Sequence, residues 1–419
     1  MFRSRSDAIS RATNMTSSGE APSSTTAPPS FHGFSMPRTA IIHNHPIHYQ
    51  DLLFRELKHQ GLPFEVLFTA TSATERINTP PLDSGNFPCR AAFRGPYQAA
   101  PRWATVRNVW SSLTSLGPGV VIIGGWADAA AWTAWMWARV HRVPRILWAE
   151  SNDFDKARVW WKERLKSLFV TRCQFAHVYG ESNRDYLVRL GMPGHRIVGK
   201  RAVLNTALFT PHDRSSAGQH TPRTLLYVGR FSPEKNLDFL LRAFADLPQN
   251  ASKPDLLLSL VGYGPLEPDL RRMASELGLD RVVQFRGSAA QTALPAIYRS
   301  ADALVLPSVR ETWGLVVLEA MACGLPVLVS DRCGCARDLV NPGTGWTFSP
   351  SDRAAFCRLL GQLANVPGSS LQAMGANAAA LAREYAVEKC AARVISTVLA
   401  VLRSSTVNVS NGPSTLAVP

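Results

Sequence analysis

Two series of short apolar runs, each alternating with stretches long enough for a helix, constrain this chain more than any other feature. The first series is 39–43, 64–68, 120–123, 145–149 and 177–179; the second is 224–228, 255–261, 282–285, 303–306 and 326–329. Many of these runs lack strict polar–apolar alternation, as expected of parallel strands covered by helices on both faces. A polar, turn-rich stretch separates the two series. The pattern predicts an α/β chain of two doubly wound, Rossmann-like domains facing one another across a cleft. The expected layout is a disordered Ser/Thr/Pro-rich arm (1–36), a first domain (37–205), a linker (206–222) and a second domain (223–385). A C-terminal helix (386–403) able to cross back to the first domain and a disordered tail (404–419) complete it. In such sheets ligands bind beyond the carboxyl ends of the strands, so the loops that follow strands are where chemistry is sought.

Charge narrows the partners. The net charge of +14 is concentrated in residues 37–205, which carry +10. A surface of that sign attracts nucleic acid, an acidic leaflet or phosphorylated substrates. Nucleic acid is disfavoured, because no zinc-finger spacing, RNA-recognition signature or basic run interleaved with aromatics is present. The densest basic stretch is 156–172, where Trp161, Leu165 and Leu168 fall at helical spacing beside the cations. It reads either as a helix lying on an anionic bilayer or as a core helix with a solvated basic face. No apolar run approaches the ~20 residues that span a bilayer. Seven cysteines without a Cys-x-x-Cys pair argue against a disulfide scaffold and a zinc site, and for a reducing compartment. The expected location is the cytoplasm or the inner face of a membrane, with an organelle-targeting role for the arm left open.

Three strand-to-helix junctions in the second half carry chemistry. In the first, Gly229 permits a tight turn, and Arg230 and Lys235 lie on one short loop ahead of a helix, able to converge on an anion or to remain solvated. The second is the glycine turn Gly262-Tyr263-Gly264-Pro265, which allows close backbone approach to a ligand. The third runs from Ser308 through Glu311 and Gly314 to Glu319, Gly324 and Pro326. A helix is expected to begin near Gly314, leaving the amides of Gly314 and Leu315 open to a phosphate, with Glu311 at the loop tip. Glu319 sits among apolar residues, and a buried carboxylate without a partner is costly.

In this order and spacing, the G-R-x-x-x-x-K loop, the V-G-x-G-P turn and the E-x7-E motif resemble the family 4 retaining glycosyltransferases of GT-B architecture, over about residues 224–393. Asn44-His45-Pro46-Ile47-His48, in the first strand-to-helix loop, looks similar too. The resemblance implies transfer of a sugar from a nucleotide-diphospho-sugar to a hydroxyl acceptor, with retention, in polysaccharide, lipopolysaccharide or glycolipid assembly. It implies catalytic roles for Arg230, Lys235 and Glu311. Arg230 and Lys235 would bind the donor diphosphate, the Gly314 and Leu315 amides the distal phosphate, Glu311 the sugar hydroxyls and Glu319 the ribose. Gly229, Gly262 and Gly264 would shape the donor pocket. The leaving phosphate would itself assist the acceptor, so no cofactor is expected. No metal ligand set, such as an Asp-x-Asp pair in a loop, is expected, which fits metal-independent departure.

Two positions depart from the family pattern. Asp338 stands where Glu is usual, and the strand 145–149 ends in Glu150 rather than His, so Glu150, His45 and His48 are the acceptor-side candidates. Trp126, Trp132, Trp135 and Trp137 read as sugar platforms or as core. The basic first domain favours an acidic or lipid-linked acceptor. A catalytically silent nucleotide-sugar-binding scaffold is the alternative reading of the same pocket. A pyridoxal-phosphate phosphorylase is disfavoured, because Lys235 and Lys253 are the only lysines between 206 and 388. A nucleotide-sugar epimerase is disfavoured by the E-x7-E context.

Overall fold

The structure, a computed structural model, describes residues 36–74, 85–153, 158–211, 222–247 and 256–410, with backbone alone for 405–410. The arm, Lys156, most of the expected linker and Asp255 lie outside the described residues. The first domain runs β1 (Thr39–His43), α1 (His48–His59), β2 (Phe64–Ser72), β3 (Cys89–Pro96), α2 (Arg102–Leu116) and β4 (Val120–Gly124). It continues through α3 (Ala129–Val140), β5 (Arg145–Ala149), α4 (Trp160–Thr171), β6 (Phe175–Val178), α5 (Glu181–Arg189) and β7 (Ile197–Val198). The second domain runs β8 (Arg223–Val228), α6 (Leu237–Ala245), β9 (Leu256–Val261), α7 (Glu267–Glu276), β10 (Val283–Gly287), α8 (Leu294–Arg299) and β11 (Ala303–Leu306). Then come α9 (Leu315–Ala322), β12 (Val327–Ser330), α10 (Ala336–Leu339), β13 (Gly345–Phe348), α11 (Arg353–Asn365), α12 (Gly368–Ala382) and α13 (Val387–Ser410).

Both sheets are wholly parallel: seven strands in the order β3-β2-β1-β4-β5-β6-β7 and six in the order β10-β9-β8-β11-β12-β13. The expected pair of doubly wound domains is therefore present. Strands β1, β5 and β11 fall on the apolar runs that predicted them, while β6 begins at Phe175, two residues early. Three strands carry no apolar run of their own, and all three lie at sheet edges: β3, β7 and β13. An edge strand is paired on one side only and tolerates exposed, short or glycine-containing sequence.

One face of the first sheet is covered by α2, α3, α4 and α5, the other by α1 and α13. Val394, Val398 and Val401 of α13 are fully buried against Ile41, Ile122 and Leu53, so the last helix of the chain completes the first domain's core. Each such side chain contributes about 1.5–3 kcal/mol relative to exposure. Residues 404–410 are helix, not tail. The reason is visible in the sequence: the next breaker is Gly412-Pro413, beyond that point.

Candidate active site

Helix α9 begins where its sequence requires. Gly314, the residue before it, has φ 106°, a backbone conformation open to glycine at little cost. Among the described residues, the amides of Gly314, Leu315 and Val316 donate to no backbone acceptor, so the helix presents open N–H groups at the carboxyl end of β11. Beside them the Lys235 ammonium donates to the Glu311 carboxylate. Both side chains are mostly shielded, 18% and 17% exposed. The loops that carry the pair are tied together: the Val309 amide donates to the Glu234 carbonyl at 3.0 Å, and Asn236 reaches the Pro307 carbonyl at 3.2 Å. Gly229 and Gly262 form the floor. A Cβ on Gly262 would lie 2.9 Å from the Gly229 carbonyl carbon, so the close approach of these turns excludes any side chain. Gly264 packs as tightly on the Phe231 backbone. Arg230 is exposed and its guanidinium enters no ion pair among the described residues; its carbonyl accepts from the Tyr227 hydroxyl at 2.8 Å.

Glu319 faces a cavity of ≈ 260 Å³ between the domains, lined also by Leu315, Gln291, His48, Tyr49 and Arg55. Its partner is neutral: the Tyr298 hydroxyl donates to its carboxylate at 2.8 Å. Burial pushes this carboxyl up to about 7, and the Tyr298 hydrogen bond only partly opposes that.

On the first domain a second cavity, ≈ 250 Å³, is lined by His43, His45, Tyr49, Gly124, Trp126, Glu150 and Arg201, among others. The Arg201 side chain is 2% exposed. It lies 4.4 Å from the Tyr179 ring centre and 5.2 Å from that of Trp148, and pairs with Glu150 at 2.8 Å. Burial works to raise the Glu150 carboxyl, but Arg201, His43 and a 2.9 Å hydrogen bond from the Tyr179 hydroxyl together hold it below its ordinary value. His43, buried at the end of β1, is lowered to about 4 by desolvation and is neutral at physiological pH.

The domains clasp at this edge. Asn152, fully buried, donates to the carbonyls of Glu311 (3.3 Å) and Thr312 (3.1 Å), and Ser182 donates to that of Gly334 (3.2 Å). The Glu181 amide at the start of α5 donates to the Asp338 carboxylate at 3.1 Å. Burial pushes Asp338 up to about 6. Tyr179 stacks on Trp313 with ring centres 5.7 Å apart.

Residues 209–380 match the family model Glycosyl transferases group 1. Over that stretch the chain is similar to the group 1 glycosyltransferases. A D-inositol 3-phosphate glycosyltransferase from Streptomyces scabiei (strain 87.22) is 37% identical over 176 residues, 40% of this chain and 39% of the relative. The chain spans less than two thirds of the length of other relatives of that name as well. Among solved structures, a sucrose-phosphate synthase from Thermosynechococcus elongatus aligns over 88% of this chain and 100% of its own, with TM-score 0.70 and 22% identity. The Anabaena protein HepE, crystallised with UDP and glucose, aligns over 87% and 100% with TM-score 0.67 and 18% identity. These likenesses extend over both sheets, and the fold is the two-Rossmann GT-B arrangement.

Lys235, Glu311 and Gly314 meet at the start of α9, Gly262 and Gly264 pack on the Gly229–Phe231 turn, and Leu315 and Glu319 line the ≈ 260 Å³ cavity. The two candidate histidines separate: His45 lines the Glu150 cavity and His48 the Glu319 cavity. Trp135 and Trp137 are core, 6% and 3% exposed, whereas Trp126 and Trp132 are half-buried at cavity walls. An Asp-x-Asp string does occur, Asp153-Phe154-Asp155, contrary to its omission from the sequence reading. Asp153 is engaged by Arg189 and, at 3.8 Å, by Arg158; Phe154 and Asp155 lie outside the described residues. His43, Arg201, Tyr179 and Asn152 were missed. Only His43 and Tyr179 offered a signal, as polar residues at predicted strand ends.

Proposed function

We propose that the chain is a retaining glycosyltransferase that moves a sugar from a nucleotide-diphospho-sugar to a hydroxyl acceptor, in polysaccharide, lipopolysaccharide or glycolipid assembly. The observation that carries the reading is the shielded Lys235–Glu311 pair set beside the open amides of α9. The two charges satisfy each other. A donor diphosphate draws the ammonium to itself and releases the carboxylate to accept hydrogen bonds from the sugar hydroxyls. The bond between the anomeric carbon and the distal phosphate oxygen breaks, and its electron pair goes to the phosphate. The acceptor oxygen bonds the same face of that carbon, and its proton passes to the phosphate oxygen. Arg230, Lys235 and the Gly314 and Leu315 amides neutralise the departing charge in this reading, without a metal ion. Glu319 accepts from the ribose. The crystallisation of HepE, a protein of the same fold, with UDP and glucose supports a nucleotide-sugar donor.

Each well-placed group of this kind is worth roughly 3–4 kcal/mol of transition-state stabilisation. Slow donor hydrolysis without acceptor should therefore fall about 100-fold or more in Lys235→Ala and in Glu311→Ala. Thermal-shift screening of UDP-, GDP-, ADP- and TDP-sugars selects the donor to use, since a ligand bound by the folded form alone raises the melting temperature. A donor that stabilises the protein but is never hydrolysed or transferred would instead establish the silent scaffold.

A further inference from the structure

We infer that the outer face of helices α2, α3 and α4 is a docking surface for an anionic lipid leaflet. The three helices form one layer on the first sheet: α2 packs on α3, and Trp132 and Trp135 of α3 pack on Phe169 of α4, ring centres 4.9 and 5.6 Å apart. Their outward surface is unusually apolar. Trp103 is 87% exposed, Val140 60%, Trp160 73%, Trp161 49%, Leu165 45% and Leu168 43%. In α4 the stripe Trp161-Leu165-Leu168 therefore lies outside, and the core is reached from the other side by Phe169 and Val170. So many exposed large apolar side chains on one helical layer mark an interaction site.

The charges around it choose the partner. Arg102, Arg107, Arg139, Lys162, Arg164 and Arg172 are all exposed. Across the three helices the only acidic residue is Glu163, and Lys166 holds it at 2.7 Å while the Tyr186 hydroxyl donates to it. Tryptophans beside long basic side chains suit a headgroup boundary, where the rings enter the acyl edge and the cations remain at the phosphates. A second copy of the chain would bring like charges together, and nucleic acid has no use for Leu165, Leu168 and Val140. Each helix follows the carboxyl end of a strand, so Trp103, Trp160 and Trp161 sit at the cleft edge of the sheet. A cavity of ≈ 470 Å³ lined by Arg102, Asp128 and Trp132 lies at the same end. A lipid-held acceptor would thus be delivered beside the cleft. That use rests on the transferase reading; the docking itself does not.

Flotation of the full chain with vesicles tests the docking without any activity measurement. Vesicles of phosphatidylglycerol with phosphatidylcholine should carry the protein at low salt, and pure phosphatidylcholine should not. Substituting serine at Trp160, Trp161, Leu165 and Leu168 together should weaken partitioning about tenfold or more, and Lys162→Glu with Arg164→Glu should do the same with loss of salt sensitivity. All six side chains are exposed, so circular dichroism should show both variants folded. Failure to float, or flotation unchanged in the folded variants, overturns the proposal. So does self-association abolished by the same serine substitutions in the absence of lipid, or oligonucleotide binding with indifference to vesicles. Donor hydrolysis by the serine variant should persist, which separates failure of this inference from failure of the transferase reading.

Discussion

A single methyl group at Gly180 tests whether the clasped arrangement is the one in which the protein works. The backbone there is extended, φ −166° and ψ −163°, which any residue adopts, so Gly180→Ala carries little local penalty. The added Cβ, however, would lie 2.6 Å from the Asp338 Cγ and closer still to the Trp313 ring, both in the second domain. Carbon atoms rest at about 3.5–4.0 Å, so the neighbours must retreat by about 1 Å. Trp313 has little room, being 2% exposed and held between Tyr179 and Tyr385, with ring centres 5.7 and 5.9 Å away. Overpacking of this degree costs roughly 1–3 kcal/mol. Since every 1.4 kcal/mol is tenfold in a population, the clasped state should lose about 5- to 150-fold against an open one. Small-angle scattering should report a larger radius of gyration, and donor turnover should fall by about tenfold. The melting temperature should fall by less than the full overpacking cost, because alanine narrows the unfolded ensemble by about 0.4–1 kcal/mol. An alanine variant with unchanged scattering and unchanged turnover would refute the reasoning.

Two further outcomes follow from the carboxylates. Glu319 is raised by burial to about 7 from an ordinary 4.5, so the folded protein holds its proton more tightly than the unfolded chain. Its favourable contribution is complete below about pH 4.5 and is lost as pH rises through 7, a swing of at most about 3 kcal/mol. Urea unfolding of Glu319→Gln should show a flatter dependence between those limits, and an unaltered slope would remove Glu319 as the source. Glu150→Gln should lower stability by about 2 kcal/mol, less than for a fully buried pair because the Glu150 side chain is 41% exposed while Arg201 is 2% exposed. Adding Arg201→Met should recover most of that loss in thermal unfolding; additive destabilisation would contradict the assignment.

The legibility of this chain follows from where information is stored. Central strands such as β1, β5 and β11 are buried on both faces and announce themselves as apolar runs, whereas β3, with Arg90, Arg94 and Gly95 in it, lies at an edge and does not. The residues of the proposed donor site stand out in the sequence because they fall in three contiguous loops, each offering glycine for backbone approach or a charged side chain for an anion. The first-domain cavity was less legible, because it takes residues from four separate strand ends: His43 at the end of β1, Gly124 at the end of β4, Glu150 after β5 and Arg201 after β7. No local pattern marks Arg201 as buried. Its place between two aromatic rings exists only once the sheet has formed.

The clasp was hidden for a deeper reason. Of its hydrogen bonds, those of Asn152 end on the carbonyls of Glu311 and Thr312, that of Ser182 on the carbonyl of Gly334, and that of Asp338 on the amide of Glu181. Half of each of these pairs is main chain, and a main-chain group is the same whatever residue bears it. Sequence can vary their side-chain halves, Asn152, Ser182 and Asp338, and also the exposed Arg337–Asp185 ion pair, which joins α10 to α5 through side chains alone. Position 338 shows the consequence. The Asp338 carboxylate meets the start of α5 in the opposite domain. Because Asn152 holds the backbone of Glu311 itself, the first domain reaches the carboxylate paired with Lys235 through one peptide unit.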